Sequence, residues 1–120
     1  MTHGAASGRI TVHVLNTALG RPAAGLAITL DRIEGENRAR LGAWITNADG
    51  RSDGPLVAGN AMQAGIYEVR FEVGAWERAS QAEPGFYDTI PIRFRVTEPN
   101  AHHHIPLLLA PFGYTTYRGS

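Results

Sequence analysis

Apolar and polar residues alternate in short runs along most of this chain. That period of two restricts it to β-sheet, built from strands with one buried face. The runs are Arg9 to Leu15, Leu26 to Leu30, Ala43 to Thr46, Ile66 to Val73, Ile90 to Val96 and His104 to Leu109, with a last one at Tyr114 to Tyr117. β-branched and aromatic residues dominate them, as a pleated, half-buried surface requires. Turn chemistry separates them at Gly20-Arg21-Pro22, Asn47-Ala48-Asp49-Gly50, Asp53-Gly54-Pro55 and Pro99-Asn100. One segment, Ala75 to Ala82, suits a short helix stopped by Glu83-Pro84-Gly85. Seven or eight short strands with one short helix predict an all-β sandwich.

At 120 residues the chain fits one domain, and folding at this size buries about two-thirds of the unfolded surface. Residues 1–8 are expected to be a disordered lead-in and residues 9–120 the single domain. Eleven basic residues balance eleven acidic ones, so there is no basic field to hold nucleic acid or anionic lipid. Cysteine is absent, which excludes disulfides, thiolate metal sites and a cysteine nucleophile. The first eight residues have neither a positive start nor an apolar run of leader length, so a cytoplasmic protein is expected. The apolar run Ile105 to Ala110 is far too short to span a membrane.

Strand parity then places the polar residues. Burying Ile10, Val12 and Val14 turns Thr11, His13 and Leu15 outward, and burying Ile105, Leu107 and Leu109 turns His102 and His104 outward together. Outward histidines are merely solvated on a lone sandwich, but between subunits they can wall a cleft. His13, His102 and His104 could also form the open three-histidine site of a zinc hydrolase. Arg51 follows an Asp-Gly turn, where an arginine is by default solvated. No paired carboxylates, Gly-rich phosphate loop or nucleophile-elbow motif occurs. The chain closes on Tyr117-Arg118-Gly119-Ser120, directly after a strand, turn and strand. Chain ends ordinarily fray, so packed structure running this close to the end can be a working part, or an edge strand that simply stops, and other residues must decide.

Three blocks carry a resemblance: Ile10-Thr11-Val12-His13-Val14-Leu15-Asn16-Thr17-Ala18-Leu19-Gly20-Arg21-Pro22-Ala23, Thr46-Asn47-Ala48-Asp49-Gly50-Arg51, and His102 to Pro111 running into Tyr114 to Ser120. Together they resemble the 5-hydroxyisourate hydrolases, the transthyretin-like proteins of purine degradation, over nearly the whole chain from Gly8. The family's functional histidines fall on His13 and His104, its arginine on Arg51, and its C-terminal tetrapeptide on Tyr117 to Ser120. Small departures are Asn16 in place of a common aspartate, His103 in place of an aromatic, and Ala110 in place of serine.

The resemblance implies an eight-stranded transthyretin-like sandwich, assembled as a homotetramer with active sites in the channel where two dimers face. It implies opening of the cyclic amide of 5-hydroxyisourate to 2-oxo-4-hydroxy-4-carboxy-5-ureidoimidazoline in uric acid degradation, with no metal or cofactor. Arg51 is then the clamp on ring oxygens, with Arg118 assisting it or holding the last strand. His13 or His104 is the general base. Tyr117, Gly119 and Ser120 contribute to binding, with Ser120 positioning water or ring through its hydroxyl or carboxylate. Transthyretin carries a ligand in the same fold without turnover, so a small-molecule carrier is the alternative of another class.

Overall fold

The computed structural model describes residues 7–120. Two sheets stack face to face. The first has the strand order β2-β1-β8-β9, with β5 also pairing β1. The second has the order β4-β3-β6-β7. The strands are β1 Arg9–Asn16, β2 Arg21–Pro22, β3 Ala27–Glu34, β4 Asn37–Ile45, β5 Val57–Ala58, β6 Gly65–Glu72, β7 Thr89–Val96, β8 His102–Ala110 and β9 Gly113–Thr116. Among the described residues a single α-helix, α1, spans Val73–Ala79. Between the sheets lie Ile10, Val12 and Val14 of β1, Ile28 and Leu30 of β3, Tyr67, Val69 and Phe71 of β6, and Ile105, Leu107 and Leu109 of β8, all buried. Each strand thus presents alternate residues inward, as its sequence period demands.

One pairing matters most for function. β1 and β8 run parallel as neighbours, with Arg9 opposite His102, Thr11 opposite His104 and His13 opposite Pro106. The outward residues of both strands therefore share one surface. The other ladders between these elements are antiparallel.

Differences from the sequence expectation have local causes. The helix begins two residues early, at Val73, a core residue that follows β6 directly and already starts the first turn of α1. β3 and β4 form a long hairpin about Gly35-Glu36, with Gly35 at φ +61. Its reach is hidden in the sequence by charges: Asp31 and Glu68 lie opposite each other on β3 and β6, both buried. Arg38 donates to both at 2.8 Å, Arg40 to Asp31, and Arg93 to Glu68 at 3.0 Å. Asn16 serves the turn an aspartate would serve: its Oδ1 accepts from Leu19 N at 3.3 Å, and its carbonyl accepts from Gly20 N. Of the expected disordered lead-in, residues 1–6 lie outside the described residues. Ser7 and Gly8 are fixed: Ser7 Oγ donates to Asn100 O at 2.9 Å, and Gly8 is buried so close to Pro99 that a Cβ would collide with its carbonyl.

The charge cluster has a measurable consequence. Burial alone would raise the carboxyl pKa of Asp31 and Glu68, but the hydrogen bonds from Arg38, with those from Arg40 and Arg93, lower both. Lowered carboxylate pKa values add stability above the unfolded-state values, and that stability is lost as pH falls through the folded-state values. Arg38→Met is expected to lower stability at neutral pH by removing the donor shared by the two buried carboxylates, with Arg40 and Arg93 retaining part of the pairing. Urea unfolding at pH 7 and pH 3.5 should show the gap from wild type narrowing at the lower pH.

Candidate active site

The outer face of the first sheet gathers the predicted residues by two routes. The first is the loop after β4. Asn47 Oδ1 accepts from Asp49 N at 2.9 Å and Arg51 N at 3.1 Å, and Gly50 N donates to Asn47 O. Gly50 sits at φ +76 under β1, where a Cβ would lie 2.3 Å from Val14 O, and its own carbonyl accepts from Val14 N. Glycine is required there. The loop is thereby pinned to β1, and Arg51 is delivered beside His13 and His104.

The second route is the chain end. After β9, Gly119 bridges back to His104, its N–H donating to His104 O at 2.8 Å. A Cβ on Gly119 would stand 2.6 Å from His104 Cδ2, so the absence of a side chain lets the backbone lie against the imidazole. Arg118 Nη2 donates to His102 O at 3.2 Å.

These routes enclose a cleft of about 440 Å³, lined by Arg9, Thr11, Arg51, His102, His104 and Ser120 among others. His13 stands just beside it, its ring centroid 6.5 Å from that of His104. Its pKa is lowered by burial and by Arg51, against a hydrogen bond to the Asp49 backbone. His104 is lowered by burial, then by Arg51, His102 and His13. Both rings are therefore held toward the neutral form that can accept a proton.

Not every predicted residue enters this cleft. Tyr117 and Arg118 line a smaller cavity of about 240 Å³ on the other side of His104, with Ile92, Phe94 and His103. His103 points inward and is buried, its ring Nδ1 bonded to Ala101 O at 2.9 Å. One residue that sequence reasoning left without a role is central: Thr11 Oγ1 lies 2.7 Å from both His102 Nε2 and His104 Nδ1. Its outward parity with His13 was the available signal. Among the described residues no group of three or more histidine, cysteine or carboxylate side chains is arranged to hold a metal ion. One ring nitrogen of each of His102 and His104 is instead engaged by the threonine.

A family model for the HIUase/transthyretin family matches residues 10–119. The chain belongs to this family. It is 49% identical over 117 residues to 5-hydroxyisourate hydrolase 2 of Rhizobium meliloti, covering 95% of this chain and 98% of that protein. Among solved structures, (S)-allantoin synthase superposes with a TM-score of 0.90 at 37% identity over all of this chain, which spans only 46% of that longer one. The 5-hydroxyisourate hydrolase of Klebsiella pneumoniae gives a TM-score of 0.80 at 35% identity, covering 94% of this chain and 99% of that one. Sea bream transthyretin in complex with thyroxine gives 0.83 at 25% identity, over 92% and 94% of the two chains. Members of the HIUase/transthyretin family thus share one sandwich between hydrolases and a thyroxine-binding protein, and only site residues can separate the two. No helix among the described residues is long and apolar enough to cross a membrane.

Proposed function

We propose that this chain is a 5-hydroxyisourate hydrolase, opening the substrate's cyclic amide with water to give 2-oxo-4-hydroxy-4-carboxy-5-ureidoimidazoline. The observation that carries the reading is the convergence of Arg51, His104 and Ser120 on one cleft, with His13 at its side. Arg51 holds the planar, electron-rich ring with a fork of donors that stays charged at any relevant pH. His104 is the general base. Its Nδ1 is engaged by Thr11, and Nε2 has no hydrogen-bond partner among the described residues. Arg51 also meets the oxygen on which charge develops, while His13, its N–H given to the Asp49 backbone, keeps a bare ring nitrogen that accepts from and steers the substrate's ring N–H. Ser120 positions the water, while Tyr117 and Arg118 anchor the tail that carries it. The decisive experiment follows the ultraviolet decay of freshly generated 5-hydroxyisourate with and without protein. Acceleration is expected, whereas a carrier would leave the spontaneous rate unchanged.

The pH dependence follows from the electrostatics. Because the pKa values of His13 and His104 are lowered, the acidic limb of kcat/KM should fall below the ordinary histidine value of about 6.5. Arg51→Leu should move that limb upward, though not all the way, since burial is the larger cause and persists. Stability follows the same sign: it is full above pH 6.5 and declines as pH falls through the lowered values of His13, His102, His103 and His104.

The proposal includes assembly as a homotetramer with the histidine-bearing faces turned toward one another, and a cytoplasmic setting that cell fractionation would test. Leu19 and Phe112, 62% and 82% exposed in the single chain, are apolar groups such an assembly could cover. Sedimentation should give a tetramer, and a fully active monomer at high dilution would reject a shared channel without touching the chemistry.

A further inference from the structure

Thr11 forms a junction that the roles above leave unused. It projects from β1 onto the same face as His13, directly opposite His104 on the parallel strand β8. Its hydroxyl oxygen is 2.7 Å from His104 Nδ1 and 2.7 Å from His102 Nε2, and the two imidazole centroids are 5.8 Å apart. A hydroxyl carries one proton. If it donates to one of these nitrogens it must accept an N–H from the other, so the two neutral rings cannot choose their tautomers independently.

We propose that Thr11 is a positioning residue that joins His104 to His102 in a proton relay, converting His104 from base to acid during each turnover. This rests on the hydrolase reading above. In the resting state His104 carries its proton on Nδ1 and donates it to Thr11, Thr11 donates to His102 Nε2, and His104 Nε2 holds the free lone pair. As water oxygen bonds to the ring carbonyl carbon, the water proton passes to His104 Nε2. The Nδ1 proton moves to Thr11 Oγ1, and the threonine's own proton moves to His102 Nε2. His104 is then neutral with a proton on Nε2, ready to deliver it to the ring nitrogen as the C–N bond breaks. The reverse shift through Thr11 occurs together with that delivery, so His104 regains its Nδ1 proton as it gives up the one on Nε2, and His102 is discharged. No atom or charge is left over.

The surroundings give this route its advantage. A full positive charge on His104 would face Arg51 and His13 across the cleft, and the relay moves that charge one ring further along β8. Burial, then Arg9, His103 and Arg118, also hold His102 toward its neutral form, so the charge rests there only until the C–N bond breaks. Side-chain exchange at position 11 should not disturb the core, because the neighbouring Ile10 and Val12 supply the buried contacts of β1 and valine suits an outward strand position.

The test compares wild type, Thr11→Val and Thr11→Ser. Thr11→Val should lower kcat at least tenfold while KM stays within about twofold, and Thr11→Ser should recover most of the loss by restoring the hydroxyl. Full kcat in Thr11→Val with an active wild type would overturn the relay and leave the hydrolase reading standing. Nitrogen-15 NMR of the ligand-free protein gives a reading independent of turnover. Above the histidine titrations, wild type should show a proton on His104 Nδ1 and none on His102 Nε2, and Thr11→Val should lose that fixed pairing. Two protonated or two bare nitrogens at the junction in wild type, or the same tautomers in Thr11→Val, would sink the relay whatever the substrate proves to be.

Discussion

Deleting Tyr117 to Ser120 should leave a folded protein with at least a hundredfold less activity toward 5-hydroxyisourate. The expectation follows from what the tail touches. Every buried apolar residue of the core lies at or before Leu109, and β9 ends at Thr116, so both sheets keep their strands. What disappears is the Gly119 bridge to His104, the Arg118 contact with the His102 carbonyl, and the Ser120 wall of the cleft. A reacting geometry loosened by an ångström costs about a hundredfold in rate, whereas loss of an exposed terminal segment ordinarily costs little stability. Circular dichroism and sedimentation must first establish that the truncated chain folds and assembles as wild type does. Undiminished turnover would then remove Tyr117 to Ser120 from the site. Gly119→Ala should reproduce part of the loss, because its methyl group must displace the His104 ring.

Much of this was legible in the residues themselves. Period-two alternation is a direct imprint of one-sided burial, so Ile10, Val12 and Val14 and the matching set Ile105, Leu107 and Leu109 declared both the sandwich and the outward direction of His13, His102 and His104. The long β3–β4 hairpin was read only at its apolar end, because the alternation between Asp31 and Arg40 is written in charges that pair across strands, and a hydrophobic period does not register them. Adjacency was invisible for another reason. β1 and β8 are more than eighty residues apart and pair in parallel, so nothing local in either strand sets Thr11 opposite His104. The position of Tyr117 and Arg118 was likewise beyond reach: where the tail passes His104 is decided by the β8–β9 register and the Gly119 contact, and it puts these two side chains on the far cavity.

Exchanging either central histidine tests the chemistry most directly. His104→Asn and His13→Asn are each expected to reduce turnover by roughly a hundredfold or more, the usual scale for a positioned acid or base, with substrate affinity changing less. The two should differ in character. His104 lines the cleft and offers an unoccupied Nε2, so its loss should abolish the acidic limb of the pH profile along with most of kcat. His13 sits beside the cleft, tied to the Asp49 backbone, so its replacement should lower kcat while a limb set by His104 remains. That limb should rise in pH, because a neighbour that disfavoured the charged form of His104 has been removed. Asparagine is a fair replacement in size and polarity and should leave the outer strand faces intact. Wild-type activity lost on chelation and restored by zinc would reinstate the three-histidine metal reading. Activity that survives both changes without any metal dependence would move the base elsewhere in the cleft.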